Sequence, residues 1–229
     1  AVRFGSEAAP NGRYHIEAGD GGYVFYIRST PTPNEYKIVA TGTTDGVSQT
    51  VSMTVRLTSD YAEKMEEIDP KHWWRLGDAG LIAVDEQEDH NGTYVNGVIR
   101  GADGAMLGDA NTAAEFRGSN DYINLEKLDE LGADNVSFGC WVRADTWATT
   151  FPRIMSRAMS TERYDRRWEL AVTNTRKLRF TMRIRNTVYE LYGQTALQRG
   201  EWYFIVATFS KGLRQMKVYV NGELDGTYN

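Results

Sequence analysis

Apolar residues recur at every second position along much of this chain, and long helical periodicity is almost absent. Val136, Phe138, Cys140 and Val142 form one such series, and the segment from Leu178 to Ile184 forms another. Because successive side chains of a strand point to opposite faces, this alternation predicts strands with one buried and one exposed face. Since 22 of the 229 residues are glycines that can serve turns, the sequence predicts an all-β fold.

The first quarter of the chain predicts a small β domain followed by a helix. Strands are expected near residues 14–17, 23–28, 36–41 and 49–57, the last two joined as a hairpin across Gly42 to Gly46. Asp60 and Glu63 have the spacing of a capping box for a helix from Tyr61 to Ile68, which Pro70 ends. We therefore expect a β domain over residues 1–58, a helical linker over 59–70 and a second domain over 71–229.

The second domain has the pattern of a β-sandwich. The segment from Trp202 to Phe209 is apolar on both faces, which is typical of a central strand covered on two sides. Met216 to Val220 form a further strand that runs into Asn221-Gly222, a strong signal for a two-residue hairpin turn. These strands predict packed antiparallel sheets with one face toward a core.

Residues from about His72 to the end of the chain carry a series of sequence blocks. They are "HWWRLGD", "DEQEDHNGTYVNG", "LGDANTAAEFRGSNDYINL", "VSFGCWVRADTW", "KLRFTMR" and "EWYFIVATFSKGLRQMKVYVNGEL". In this order the blocks resemble the laminin G-like domains of the concanavalin A-like lectin/glucanase superfamily in their bacterial jelly-roll form. The resemblance implies an antiparallel jelly-roll β-sandwich, commonly with a calcium ion at its rim, that serves ligand recognition or adhesion as often as catalysis.

The end of the sequence departs from this family. Family members continue for further strands beyond the block "VYVNGEL", whereas this sequence stops at Asn229. The resemblance therefore implies a sandwich without its last strands, and we expect an open outer edge on the Met216 to Val220 strand. An open edge favours self-association by strand pairing.

Residues Asn11 to Arg56 resemble the C-terminal β part of bacterial type IV pilin-like proteins. These include the minor pilins and the biogenesis proteins of mannose-sensitive haemagglutinin pili. The resemblance rests on "GRYHI" and "EYKIVATGTTDGVSQTVSMTVR". It implies a surface filament subunit, with pilus subunits as partners, whose hydrophobic N-terminal helix is missing from this sequence.

The sequence lacks the common signatures of catalytic sites. Glycosidases of this superfamily place two carboxylates close together on one strand, so that both project from the same face. The nearest acidic cluster, Glu66 to Asp69, falls in the expected helix. His15, His72 and His90 are far apart in the sequence without an HExxH pattern, and no GxSxG occurs. We therefore expect a non-catalytic protein.

Negative charge is concentrated in the middle of the chain. Residues 58–134 contain eighteen acids and six bases, a net charge of −12 within a whole-chain charge of −5. The overall balance argues against nucleic acid as a main partner. The oxygen-rich loops of this segment suit calcium, and the resemblance selects Asp109, Asn120 and Asp121 as metal ligands. The alternative is that these are turn residues bonded to their own backbone.

Trp141 is expected to lie on a candidate ligand-binding surface. It alternates with the apolar Val136, Phe138 and Cys140, so its side chain should point away from the core. Arginines are expected to share this surface, so that the ligand-binding set is Trp141, Arg143, Arg179, Arg183 and Arg185. Stacking on a sugar face and charged hydrogen bonds suit an acidic or sulfated glycan. The alternative is an arginine-rich solvated face. Cys140 itself is expected to be buried and unreactive.

The two resemblances imply an extracellular or cell-surface bacterial protein. The preferred interpretation is a non-catalytic, pilus-associated adhesin-like module that recognises a glycan, a surface protein or a neighbouring subunit. Two alternatives stay open, a carbohydrate-binding module of a larger secreted enzyme and a structural filament subunit. No window of about 18 apolar residues occurs, so no membrane segment is expected in this chain.

Overall fold

The structure is a computed structural model of the 229-residue chain. It describes residues 13–18, 21–31, 35–44, 46–56, 59–87, 90–106, 108–118, 120–125, 135–146, 152–157, 167–184 and 187–229. The regular structure in these ranges consists of antiparallel strands and one α-helix, which confirms the all-β prediction. The chain divides into two compact units, Ala1–Asn124 and Leu125–Asn229. The boundaries expected near residues 58 and 70 lie inside the first unit and stay predictions.

The first unit begins with a four-stranded antiparallel sheet in the order β1-β2-β3-β4. Its strands are β1 (Arg13–Ala18), β2 (Gly21–Ser29), β3 (Glu35–Thr44) and β4 (Val47–Arg56). All four expected strands are present, and β3 pairs with β4 as the expected hairpin. Thr44 pairs with Val47, which leaves a two-residue turn that contains Gly46 at φ 74°. A positive φ of this kind favours glycine.

One face of the β3–β4 hairpin is apolar and exposed. The strand register pairs Ile38 with Met53 and Ala40 with Val51, so their side chains lie on the same face. The exposed fractions of Val47, Val51 and Met53 are 69%, 64% and 59%. We call these three β4 side chains the β4 apolar face. Contiguous exposed apolar surface is uncommon on soluble monomers and marks interaction sites.

Helix α1 (Tyr61–Ile68) has the expected bounds. The expected capping box is wrong, because the Asp60 side chain makes no capping hydrogen bond. Instead the backbone N–H of Tyr61 donates to the hydroxyl oxygen of Ser59 at 3.2 Å. The helix ends at Asp69, whose left-handed backbone has φ 52° and whose N–H donates to the carbonyls of Met65 and Glu66.

The remainder of the first unit is built from short strands. Strands β5 (Ile82–Ala83), β6 (Gly92–Val95) and β9 (Tyr122–Asn124) form one sheet, and β7 (Ile99–Ala102) pairs with β8 (Ala113–Glu115). A small core of Ala83, Tyr94 and Val98 holds these strands, with Trp74 packed against it.

The second unit consists of two antiparallel four-stranded sheets. The first, called the β10 sheet, has the order β10 (Asn135–Arg143), β15 (Trp202–Ser210), β16 (Gln215–Val220) and β17 (Glu223–Tyr228). The second, called the β13 sheet, has the order β11 (Arg153–Arg157), β12 (Arg167–Val172), β13 (Leu178–Ile184) and β14 (Thr187–Tyr192). Strand β15 is an inner strand of its sheet, as predicted, but Trp202 and Phe204 on its outer face are only half-buried.

One hydrophobic core joins the inner faces of the two sheets. Phe138 of the β10 sheet stacks on Trp168 of the β13 sheet with ring centroids 4.2 Å apart, and it meets Phe180 edge-on at 5.6 Å. Leu178, Phe180 and Met182 are buried, as the alternation predicted. Cys140 packs against the same core, and burial raises the pKa of its thiol to about 12. The second unit is thus the expected sandwich.

Strand β17 corrects one prediction about the end of the sequence. Asn221 and Gly222 have φ values of 51° and 86°, as a type I′ turn requires, and β17 then pairs along β16. The outer edge of the Met216 to Val220 strand is therefore not open. Asp225 of β17 is buried and accepts hydrogen bonds from the backbone N–H groups of Gln194 (3.2 Å) and Thr195 (2.8 Å), which fastens the strand to the chain after β14.

Candidate functional site

An aromatic and cationic patch lies on the outer face of the β10 sheet. Trp141 pairs with Phe204 and Arg143 pairs with Trp202 in the β10–β15 register. The Trp141 and Phe204 rings are 5.3 Å apart, and the Arg143 guanidinium lies 5.1 Å from the centroid of the Trp202 ring. We call Trp141, Arg143, Trp202 and Phe204 the Trp141 patch. It combines aromatic surface with one cation on neighbouring strands.

Only some of the polar groups in this patch have hydrogen-bond partners. The Nε of Arg143 donates to the carboxylate of Asp145 at 3.0 Å, and 29% of the Arg143 side chain is exposed. The indole Nε1 of Trp141 is buried and has no acceptor in the described ranges. A buried donor without a partner is costly, so this N–H lowers the local stability of the sheet.

Arg143 and the predicted arginines of the β13 sheet do not share a surface. Phe180 and Met182 of β13 point into the core, so the neighbouring Arg179 and Arg183 lie on the outer face of the β13 sheet. This face is on the opposite side of the sandwich from the Trp141 patch, and the expectation of one common surface is wrong. Arg185 lies outside the described residues.

Arg179 is already held in an ionic network. It pairs with Glu169 and lies 3.9 Å from a carboxylate oxygen of Glu190, while Arg153 also binds Glu169. Burial acts to raise the pKa of the Glu169 carboxyl, but the hydrogen bonds from Arg153 and Arg179 outweigh it and lower that pKa. Arg183 is more exposed than Arg179, so it is the more accessible of these two arginines to an acidic ligand.

The carboxylate of Asp109 is occupied by protein donors. Arg75 Nη2 lies 2.8 Å from each of its oxygens, and the backbone N–H of Asn111 donates to it at 2.9 Å. These contacts are those of a half-buried ion pair combined with a turn. The arrangement matches the alternative interpretation of Asp109 as a turn residue.

Asp121 is occupied in a similar way. Its carboxylate accepts the backbone N–H groups of Gly97 (2.9 Å) and Arg117 (3.0 Å), and these bonds, with that of Arg117 first, lower the pKa of Asp121. The carbonyl of Asn120 accepts the side-chain amide of Asn96. In the described part of the chain no three histidine, cysteine or acidic side chains surround a common point. These donor sets do not fit a calcium ion, which would have to displace the amides.

A buried polar cluster in the first unit was missed by the sequence reasoning. The carboxylate of Asp85, with no exposed surface, lies 2.8 Å from Nδ1 of His72 and accepts the backbone N–H groups of Trp73 (2.8 Å) and His90 (3.1 Å). The His72 ring stacks on Trp74 at 5.4 Å and meets the His90 ring edge-on at 5.6 Å. We call His72, Asp85 and His90 the His72 cluster.

The spacing of the histidines concealed this cluster. His72 and His90 are far apart in the sequence, but a β-bridge between Trp74 and Asp85 brings the two segments together. The side-chain oxygen of Asn91 accepts the backbone N–H of Asp85 at 2.9 Å and holds the loop in place. One feature of the sequence could have indicated this contact, because His72 and His90 lie in the first two sequence blocks.

Comparisons with known proteins bear on the second half of the chain. Residues 117–229 match a laminin G-like family model described as the Concanavalin A-like lectin/glucanases superfamily. No curated protein and no solved structure matches the chain, and the resemblance of residues 11–56 to pilin-like proteins stays a prediction.

Domains of this superfamily commonly bind carbohydrates or proteins and are typically extracellular. Among the described residues no helix is long and apolar enough to cross a membrane. The sandwich of two antiparallel sheets agrees with the family match. Together they support a laminin G-like jelly-roll domain of the concanavalin A-like superfamily in the second half of this chain.

Proposed function

We propose that this chain is a non-catalytic binding module of an extracellular, pilus-associated adhesin-like protein, and that the Trp141 patch contacts its glycan or protein ligand. The observation that carries the proposal is the grouping of Trp141, Trp202 and Phe204 with the Arg143 guanidinium on one outer face. Binding is also what domains of the matched superfamily commonly do.

The chemistry of the patch favours a ligand with both apolar and acidic groups. Aromatic rings stack on the apolar face of a sugar or on an apolar side chain. Arg143 keeps 29% of its side chain exposed beside the acidic Asp145, so an anionic ligand group would replace Asp145 as its partner. Charge-assisted hydrogen bonds of this kind are stronger than neutral ones.

The Glu169 carboxylate on the β13 sheet is poorly suited to act as the general acid of a glycosidase. A glycosidase needs one carboxyl group that stays protonated long enough to act as a general acid. The hydrogen bonds from Arg153 and Arg179 keep Glu169 ionised by lowering its pKa. Incubation with a panel of glucans, galactans and sialosides should release no reducing ends. Turnover that Glu169→Gln abolishes would contradict a non-catalytic role.

Binding to immobilised polysaccharides tests the site. The panel contains a sulfated, a uronate-rich and a neutral polysaccharide, and the variants are Arg143→Gln, Trp202→Ala and Arg183→Gln. We expect binding to the acidic polysaccharides to fall at least about tenfold in the first two variants, since a charge-assisted hydrogen bond contributes about 1.5 to 3 kcal/mol.

Arg183→Gln is the matched control, because it removes the same charge from the opposite outer face of the sandwich. Wild-type affinity in this variant, with loss in Arg143→Gln, supports the Trp141 patch. Loss of polysaccharide binding in Arg183→Gln alone would place the ligand site on the outer face of the β13 sheet. Binding to none of the polysaccharides, together with capture of a surface protein that Arg143→Gln prevents, would assign a protein ligand.

The β4 apolar face favours a structural filament subunit as a second candidate function. Val47, Val51 and Met53 are 59% to 69% exposed on one side of an edge strand. A subunit of a filament must bury such a face against its neighbour, whereas a free module gains nothing from exposing it. This candidate is compatible with ligand binding by the second unit.

A further inference from the structure

Two histidine side chains of the His72 cluster each have a buried ring nitrogen without a hydrogen-bond partner among the described residues. These atoms are Nε2 of His72 and Nδ1 of His90. The His72 side chain is only 8% exposed, and the two rings lie 5.6 Å apart between centroids, at an interplanar angle of 74°. Buried polar atoms without partners are uncommon in native proteins and call for a physical reason.

The other nitrogen of His72 is fixed by a carboxylate. Nδ1 lies 2.8 Å from Asp85, and Asp85 is itself held by the backbone N–H groups of Trp73 and His90. An ionised carboxylate only accepts hydrogen bonds, so Nδ1 carries the proton and donates it. In the imidazole tautomer with its proton on Nδ1, the Nε2 atom bears a free lone pair. A carboxylate behind an imidazole is the common arrangement that orients histidine metal ligands.

The metal–nitrogen bond length sets the centroid separation of two imidazole rings that share one ion. A Zn–N bond of about 2.0 to 2.1 Å places a metal about 3.2 Å from the centroid of each imidazole. Two such rings at angles near tetrahedral have centroids about 5 to 6 Å apart. The observed 5.6 Å lies in this range. Trp74, stacked on His72 at 5.4 Å, shields the ring and limits its movement.

We propose that His72 and His90 form a binding site for a divalent transition-metal ion of the Zn²⁺ or Cu²⁺ class, with Asp85 orienting His72. Imidazole nitrogen suits these ions, whereas calcium and magnesium prefer oxygen. Two protein nitrogens make an incomplete coordination sphere, and because both atoms are buried, the ion must displace neighbouring side-chain atoms to bind with its remaining ligands. The site is separate from the Trp141 patch and does not depend on the function proposed for it.

Titration of the full chain, without a histidine tag, with Cu²⁺ alone tests this site. The sequence contains three histidines, so His15→Gln is a matched control for non-specific imidazole binding. Electron paramagnetic resonance should show one bound Cu²⁺ with hyperfine coupling to two nitrogen nuclei. Calorimetric titration with Zn²⁺ should give one site per chain, since both ions bind the same imidazoles.

The variants distinguish the proposed site from metal binding elsewhere on the chain. His90→Gln should weaken Zn²⁺ binding at least about tenfold and reduce the Cu²⁺ coupling to one nitrogen, whereas His15→Gln should change neither. Because His72→Gln disturbs a buried hydrogen bond, it is used only if circular dichroism shows a wild-type fold. Absence of binding, or binding that His15→Gln removes and His90→Gln does not, would overturn the proposal and leave an ordered water as the partner of both nitrogens.

Discussion

Among the described residues, Asp85 is a charged side chain with no exposed surface. Burial acts to raise the pKa of its carboxyl, but hydrogen bonds from the Trp73 N–H, the His72 ring and the Gln87 and His90 N–H groups outweigh burial and lower it. The charge is therefore stabilised by four donors inside the protein. These donors come from both sides of the Trp74–Asp85 bridge. The Asp85 side chain therefore links the chain around His72 to the chain around His90.

Asp85→Asn should lower the free energy of unfolding by about 2 to 4 kcal/mol at pH 7, because the amide turns its donating side toward backbone N–H groups. Since the folded-state pKa of Asp85 is depressed, its contribution is complete above the unfolded pKa of about 3.9 and disappears as pH falls through the lower folded value. Wild-type stability should therefore drop steeply below about pH 4.

Urea unfolding between pH 3 and 7 measures both effects. The variant should show a shallower acid dependence than the wild type, because it has already lost the titrating carboxyl. Asp103→Asn, at an exposed loop position, is the control and should match the wild type. Equal stability of Asp85→Asn and wild type at pH 7 would show that the four hydrogen bonds contribute little.

The calcium site expected from the family resemblance has a direct test at Asp109 and Asp121. Both carboxylates are occupied by arginine or amide donors, so we expect the same melting temperature in millimolar calcium and in excess EDTA. An ion at a hundredfold excess over its Kd would add about 2.7 kcal/mol of stability, which calorimetry detects readily. A rise with calcium that Asp121→Asn abolishes would show that the ion displaces the amides.

At the scale of strands, the sequence predicted local structure better than pairing. The alternation correctly assigned the inner face of β10 and of β13, because the direction of a side chain within a strand depends only on its neighbours. It could not assign those strands to different sheets, since pairing depends on the whole chain. For this reason the predicted set of Trp141 and Arg179 is divided between two faces. The contact of His72 with His90 was hidden for the same reason.

Strand β17 offers a test of how firmly the edge of the β10 sheet is attached. A Cβ atom at Gly226 would lie 2.9 Å from the carbonyl oxygen of Tyr192 and 3.2 Å from a methyl carbon of Leu191. Gly226→Ala should therefore separate β17 from β14 and cost about 1 to 3 kcal/mol of stability. Gly212→Ala, whose added atom meets open space, is the control and should be nearly neutral.

Hydrogen exchange with urea unfolding measures this effect. In Gly226→Ala the amides of residues 223–228 should exchange faster than those of β15. Unchanged protection in β17 would mean that the Asp225 hydrogen bonds hold the strand without close packing at Gly226.

At the scale of the whole molecule, the two compact units differ in how they bury apolar surface. The second unit has one core shared by two sheets. The first unit contains a small core around Tyr94 and a sheet whose β4 apolar face is exposed. The second unit is therefore expected to be the more stable, and the first unit to be the one that makes apolar contacts with other chains.

Self-association should depend on the β4 apolar face. Sedimentation velocity of the wild type should show concentration-dependent association, because burying these side chains releases water from apolar surface. Val51→Lys should prevent it, since a charge on this face is costly to bury. Ser52→Lys, on the other face of the same exposed strand, is the control. A wild type that stays monomeric at all concentrations, or equal effects of both lysines, would contradict the interface.

Cys140 is half-buried against the sandwich core, and the raised pKa of its thiol predicts a native protein that reacts little with thiol reagents. Cys140 is the sole cysteine of the chain, and with a thiol pKa of about 12 it holds almost no thiolate at neutral pH. Native protein should therefore take up no maleimide by intact mass, and urea-unfolded protein should take up one. A cysteine introduced at an exposed position then becomes a unique attachment point for a fluorophore, without the need to remove the natural one.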